Sequence, residues 1–147
     1  MSSSRAGRRN RRGRRGGGLL QGLEPFEREL ISWMLGSRGF AVKPPLVGRW
    51  ILGFLRLHQP ASCHDMYRRY RRFIEAVRQV DGRYRVPSYL GFRRLVWQLT
   101  KDGLLVRVGS EPASRPWLHE RVLLELAPGA ESSTVWDNPW AYIKGRR

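Results

Sequence analysis

The stretch from residue 84 to residue 126 constrains the fold more than any other part of the chain. It opens with extended backbone, because a residue that precedes a proline, here Pro87, avoids the helical conformation. Apolar residues then recur at helical spacing until Asp102-Gly103, a typical helix end. Two short segments rich in strand-forming residues follow, on either side of a polar loop. The stretch therefore predicts one helix leading directly into a β-hairpin.

The helix is predicted over 88–101 and the strands over 104–108 and 122–126. One face of the helix is apolar at intervals of three and four residues, through Phe92, Leu95, Val96 and Leu99. In the second strand apolar residues at alternate positions indicate one buried side. The opposite side of the helix carries basic and polar residues, so we expect that side to face solvent or a partner.

Three further helices are predicted before this stretch, over 24–35, over 46–58 and from residue 62 to about residue 80. The first has Pro25 at its start and an apolar stripe of Phe26, Leu30, Trp33 and Met34. The second contains Gly48 and Gly53, which weaken a helix and therefore predict close packing against a neighbour. Ser62 followed by Asp65 is typical of a helix start.

The chain is strongly basic, with 28 Lys and Arg against 12 Asp and Glu and a net charge of +16. Only three of the basic residues are lysines, and arginine is the better group for bidentate contacts to phosphate and guanine. Seven arginines lie in the glycine-rich residues 1–18, yet the remaining chain still carries +9. A charge this large favours an anionic partner, either nucleic acid or, second, an anionic membrane surface.

Several classes of function are not expected. Cys63 is the only cysteine, and the three histidines are scattered, so we expect neither a metal site nor a cofactor. We see no serine-histidine-aspartate pattern, phosphate loop or pair of buried carboxylates, so we do not expect an enzyme. No run of about 18 apolar residues predicts a membrane span, and a secretory signal is not indicated. The expected location is the cytoplasm or nucleoid, or the nucleus of a eukaryote.

Residues 44–127 resemble a winged helix-turn-helix domain of the type found in bacterial and archaeal transcription regulators. The resemblance is carried by the run from Ser88 to Leu95, then Leu99 and the junction Asp102-Gly103-Leu104-Leu105. It is similar to the recognition helix of that family, which runs into the first strand of the hairpin, or wing. The segment 81–86 departs from the family because it is longer than a compact three- or four-residue turn.

The resemblance implies a mostly α fold with a small β-hairpin, to which this chain adds three segments. These are a disordered basic tail over 1–22, an accessory helix within 23–39 and an aromatic C-terminal segment over 128–147. The aromatic run 136–142 has three possible roles: capping the core of its own domain, contacting a partner, or stacking on single-stranded bases.

The resemblance also implies that the helix 88–101 enters the major groove of double-stranded DNA. Base contacts are then expected from Arg94 first, and from Arg93 and Gln98. Phosphate contacts are expected from Arg68, Arg69, Arg71, Arg72, Ser88, Tyr89 and Lys101. Contacts from the wing are expected from Arg107, Arg115 and Arg121. The alternative for each of these sets is an ordinary solvated surface.

The function predicted from these patterns is that of a double-stranded DNA-binding protein, either a transcriptional regulator or a genome-associated protein. A homodimer formed through the helix 24–35 is expected only by analogy with the family. Two other classes stay open. The Arg-Gly tail and general basicity favour an RNA-binding or ribosome-associated protein. A winged-helix adaptor that binds another protein is the third class.

Overall fold

The protein is mainly helical, with one small antiparallel sheet. The computed structural model describes residues 22–36, 43–112 and 121–140. Its helices are α1 (Pro25–Gly36), α2 (Val47–His58), α3 (Cys63–Val80) and α4 (Tyr89–Lys101). Its strands are β1 (Ala61–Ser62), β2 (Leu105–Glu111) and β3 (Arg121–Leu126). Two 3-10 turns follow, Ala130–Ser132 and Thr134–Asp137. The prediction of a mainly α protein with a β-hairpin is confirmed, while residues 1–21, which include most of the predicted tail, lie outside the described residues.

Local capping interactions set the ends of α3 and α4 where the sequence predicts them. The hydroxyl of Ser62 accepts a hydrogen bond from the Asp65 amide at 3.1 Å, and that of Ser88 accepts one from the Gly91 amide at 3.0 Å. Gly103 then ends α4 with a φ of 82°, a conformation that costs glycine little. The β-hairpin consequently starts at a fixed point after α4.

The sheet has the strand order β1-β3-β2, and all its pairings are antiparallel. Strand β1 was not predicted, because two residues carry no periodic pattern that could mark them as a strand. Ala61 pairs with Leu124, and Ser62 with Leu123, so the start of α3 is held beside β3. This pairing brings together parts of the chain that are some 60 residues apart in the sequence.

Each of the helices α2, α3 and α4 buries one apolar face, and that of α4 is the face that the sequence predicts. The stripe predicted for α1 is partly wrong, because Trp33 is 36% exposed while Ile31 and Glu27 are buried. The ring of Trp33 is covered instead by the guanidinium of Arg49, which lies 4.1 Å from its centre. Leu30, Ile31 and Met34 join the core cluster that the described residues form. A dimer formed through α1 would therefore have to use the residues that this packing leaves exposed.

The buried carboxylate of Glu27 links α1 to α2. One oxygen accepts a hydrogen bond from the indole nitrogen of Trp50 at 2.8 Å, and the other accepts one from the Glu24 amide at 2.9 Å. A buried carboxylate is tolerated when its oxygens are hydrogen-bonded in this way. Since Trp50 has no exposed surface, this interaction lies inside the core.

Two glycines in α2 allow neighbouring segments to approach closely, as the sequence predicts. A Cβ atom on Gly48 would lie 2.2 Å from the carbonyl oxygen of Trp136, and one on Gly53 would lie 2.4 Å from the ring of Phe26. Trp136 is buried, and its indole nitrogen donates to the Ala130 carbonyl at 2.7 Å. The part of the C-terminal segment up to Trp136 thus caps the core of its own domain, which was one of the three possible roles.

We expect Glu27→Gln to lower the free energy of unfolding by about 1–2 kcal/mol. Both groups bonded to Glu27 are N–H donors, and a glutamine side chain offers only one acceptor oxygen to the two of them. Urea unfolding followed by circular dichroism measures the change. Glu29→Gln is the matched control, because Glu29 is exposed on the same helix. Equal stability of the two variants would contradict this role of Glu27.

Candidate nucleic-acid interface

The outward side of α4 is built by the burial of its opposite side. Phe92, Leu95, Val96 and Leu99 are buried, which leaves Leu90, Arg94 and Lys101 exposed along one line of the helix. Arg93 lies at one edge of this line and is exposed, while Trp97 and Gln98 are half-buried. The predicted helix therefore presents basic residues to solvent as expected.

The segment that leads into α4 is fixed to the rest of the protein. The hydroxyl of Tyr67 in α3 donates to the carbonyl of Pro87 at 2.8 Å, and its ring packs against Tyr89 and Phe92. Further back, the hydroxyl of Tyr84 donates to the carbonyl of Pro44. The connection between α3 and α4, longer than a compact turn, is thus held at both of its ends.

The basic residues of α4 have no acidic partner among the described residues. The seven ion pairs in that part of the chain involve Arg49, Arg56, His58, Arg68, Arg69, Arg71 and Arg83. None of them includes Arg93, Arg94 or Lys101. Most acids of the fold thus neutralise arginines elsewhere, and the positive charge of α4 remains available to an external anion.

Gln98 is placed less favourably for base contacts than the arginines of α4. Its amide nitrogen donates to a carboxylate oxygen of Asp102 at 3.2 Å, one helical turn further along. This bond occupies one N–H of the amide, so that N–H is not available to a base while the bond is formed.

The four arginines between residues 68 and 72 of α3 differ in the groups that they contact. Arg69 lies 3.8 Å from the carboxylate of Glu24, with its guanidinium over the ring of Phe54, and it lines a cleft beside α1 together with Arg72. Arg68 and Arg71 instead pair with acids of their own helix, Asp65 at 3.5 Å and Glu75 at 3.2 Å. Three of the four α3 arginines predicted to contact phosphate therefore already have an acidic partner, and Arg72 has none among the described residues.

A groove with basic and aromatic walls lies where the start of α3, α4 and β3 meet. It is lined by His64, Tyr89, Arg93, Trp97 and Arg121, among others. Arg93 and Arg121 are far apart in sequence, and the sheet brings them to one site. The sequence did not single out His64, because only the unpredicted strand β1 places the start of α3 next to β3. This groove extends the basic surface of α4 towards the hairpin.

The remaining predicted contacts are only partly described. Ser88 caps α4 with its hydroxyl, and Tyr89 is 37% exposed at the edge of the groove. Arg107 is exposed on β2, while Arg115 lies outside the described residues. Leu90 is 64% exposed on the outward side of α4, and the sequence pattern alone did not indicate a role for it. Its place opposite the apolar stripe is the signal that could have identified it.

Cys63 lies within the same groove, where burial raises the pKa of its thiol to about 11. A hydrogen bond with Tyr89 and the positive charge of Arg93 act in the opposite direction but are smaller effects. The thiol therefore stays protonated at neutral pH.

We expect iodoacetamide to alkylate Cys63 about 100-fold more slowly in the folded protein than in the urea-unfolded chain at pH 8. The thiolate is the reactive form, and a pKa raised from 9.0 to about 11 lowers its fraction by about two powers of ten. The rate in the folded protein should keep rising with pH up to about 11. Mass spectrometry at timed quenches measures both rates. Similar rates in the two states would show that the thiol is not held in this way.

Comparisons with known proteins assign no function to this chain, so its function has to be inferred from the geometry of the site. No family model matches this sequence, and no curated protein or solved structure shows significant similarity to it. In the described ranges, no helix is both long and apolar enough to cross a bilayer. The same ranges hold no cluster of three or more histidine, cysteine or acidic side chains that could bind a metal ion.

Proposed function

We propose that this protein binds double-stranded DNA by inserting α4 into the major groove. The observation that carries the proposal is the exposed basic side of α4, where Arg93, Arg94 and Lys101 pair with no acid of the described chain. An α-helix fits the width of the major groove, and unpaired arginines on such a helix can contact phosphates and guanine edges without first breaking an ion pair.

The arrangement of elements supports a winged helix-turn-helix interpretation. Two consecutive helices, α3 and α4, lead into the hairpin of β2 and β3, and β1 holds that hairpin to the start of α3. The order of two helices and a hairpin is the one that the resemblance of residues 44–127 implies, and β1 is an addition to it. The hairpin would then lie beside α4 as the wing, with Arg107 and Arg121 on its strands.

Within this proposal the basic residues have different roles. Arg94 is central on the exposed side of α4 and is assigned to a guanine edge. Arg93, Arg121 and His64, which share one groove, are assigned to a phosphate, and Lys101 to another. Arg69 is not assigned to DNA, because Glu24 and Phe54 hold its guanidinium on the side towards α1.

We expect Arg94→Ala to weaken binding to a selected DNA site by about 1–3 kcal/mol and to relax the preference at one base pair. The matched control is Arg69→Ala. It also removes one charge, but the guanidinium that it removes lies against Glu24 and Phe54, so DNA affinity should stay nearly unchanged. Fluorescence anisotropy with duplexes from a random-pool selection measures both variants.

The same assay with duplex DNA, duplex RNA and single-stranded RNA, each across a salt series, tests the proposal itself. A preference of the full chain for duplex DNA supports it. A preference for RNA would favour the RNA-binding class, for which the Arg-Gly tail is the main argument. Equal weakness on all three at low salt would point to a protein-binding adaptor.

The exposed side chain of Leu90 generates a second prediction. One turn before Arg94 on the same side of α4, it is placed to contact the methyl group of a thymine. Replacing that thymine by uracil should weaken binding about fourfold, which corresponds to the loss of about 0.8 kcal/mol for one buried methyl group.

The variant Leu90→Ala should lose this sensitivity to uracil, since it can no longer bury the methyl group. Leu57→Ala provides the control, because Leu57 is similarly exposed, at 58%, but lies on α2. If uracil substitution at every thymine of the site has no effect on the wild-type protein, Leu90 does not read thymine, whether or not the protein binds DNA.

A further inference from the structure

A second site lies on a different part of the fold, beside the segment that precedes α4. It is a cavity of about 270 Å³ between the start of α2, the segment 84–87 and the residues after the second 3-10 turn. Its walls are mostly apolar and include the rings of Tyr70, Tyr84, Phe92 and Trp140, together with three prolines. Neither Arg94 nor Lys101 lines it, so the proposed DNA contacts give it no role.

The hydroxyl of Tyr70 is a polar group of this cavity that forms no hydrogen bond with a described residue. Only 5% of Tyr70 is exposed, and its ring stacks on Phe92 at 5.5 Å. No described residue forms a hydrogen bond with this hydroxyl, whereas the hydroxyl of Tyr84 donates to Pro44. Burial also raises the pKa of Tyr70 above its usual range, so the group remains a neutral donor. A ligand can therefore bond to this hydroxyl without displacing a partner from the described chain.

Positive charge borders the cavity. Its lining includes Lys43 and Arg85, both exposed, and no acidic residue among the described ones. Lys43 lies 5.0 Å from the ring centre of Tyr84 and donates to the carbonyl of Arg83. Arg85 forms no ion pair with a described residue. An anionic group at the border would therefore meet two cations next to aromatic walls.

We propose that this cavity binds a small aromatic carboxylate that also carries a hydroxyl group. The apolar walls accept the ring system, Arg85 and Lys43 attract the carboxylate, and Tyr70 bonds to the ligand hydroxyl. The volume is near the lower limit of small-molecule sites, which restricts the ligand to one or two rings. The proposal does not depend on DNA binding, because its walls and its charges lie outside the exposed side of α4.

Calorimetric titration of the full-length protein with 6-hydroxy-2-naphthoate tests the proposal. The ligand should bind, and its uncharged amide analogue should bind about fivefold more weakly, the factor expected for a partly screened ion pair. Arg85→Gln should weaken binding of the carboxylate by a similar factor and leave binding of the amide unchanged. Arg78→Gln is the control for general attraction to a basic protein, since Arg78 is an exposed arginine that does not line the cavity. An equal loss in both variants would overturn the site.

The role of Tyr70 is tested by a double-mutant cycle between protein and ligand. Tyr70→Phe removes only the hydroxyl, and 2-naphthoate lacks the hydroxyl of the ligand. Either deletion alone should weaken binding about fivefold, and the two together should cost little more than one. Thermal melting verifies that the variant remains folded, which is expected because the hydroxyl has no described partner. Additive losses, or no binding of the hydroxynaphthoate to the wild-type protein, would overturn the proposal.

Discussion

The hydrogen bond between the indole of Trp50 and the carboxylate of Glu27 is the constraint on which the helical packing depends. Trp50 is fully buried, its ring stacks on Phe54 at 4.8 Å, and it meets the edge of Tyr70 at 5.2 Å. Tyr70 in turn stacks on Phe92 of α4. One continuous set of contacts therefore runs from α1 through α2 and α3 to α4. It starts at Glu27, because a tryptophan N–H this deep in the core needs a buried acceptor. The orientation of α4 follows from packing at the centre of the protein.

The same packing decides where the positive charge remains. Glu24, directly before α1, lies against both His58 and Arg69, and so holds two basic side chains beside the start of α1. The residues after β3 neutralise two arginines of α2, through Asp137 and Glu131. With the acids used in this way, the basic residues of α4 and of the groove beside it are among those left without an acidic partner in the described chain. Which positive charges stay unpaired is thus a consequence of the fold as well as of the composition.

What the sequence could predict was local. The starts of α3 and α4 depend on Ser62 and Ser88, whose hydroxyls bond to amides three residues away, and such signals are visible in a short window. The burial of Trp33 was predicted wrongly and that of Glu27 was not predicted, because both depend on Arg49 and Trp50, which belong to another helix. Three other features also depend on residues distant in sequence. They are strand β1, the ion pair of Arg69 with Glu24, and the groove that Arg93 and Arg121 share. A periodic pattern shows which side of a helix is apolar, but it does not show which charges will find partners.

In the proposed complex, affinity and specificity come from different parts of the chain. The seven arginines of residues 1–18 can release counterions from any nucleic acid, and they strengthen correct and incorrect sites by the same factor. Discrimination must then come from side chains held in one position, since a contact that can move accepts several bases. Arg94 and Leu90 meet this requirement, because they lie on a helix whose other side is fixed in the core. A longer tail would raise binding to all DNA, whereas one substitution on α4 would change which DNA is bound.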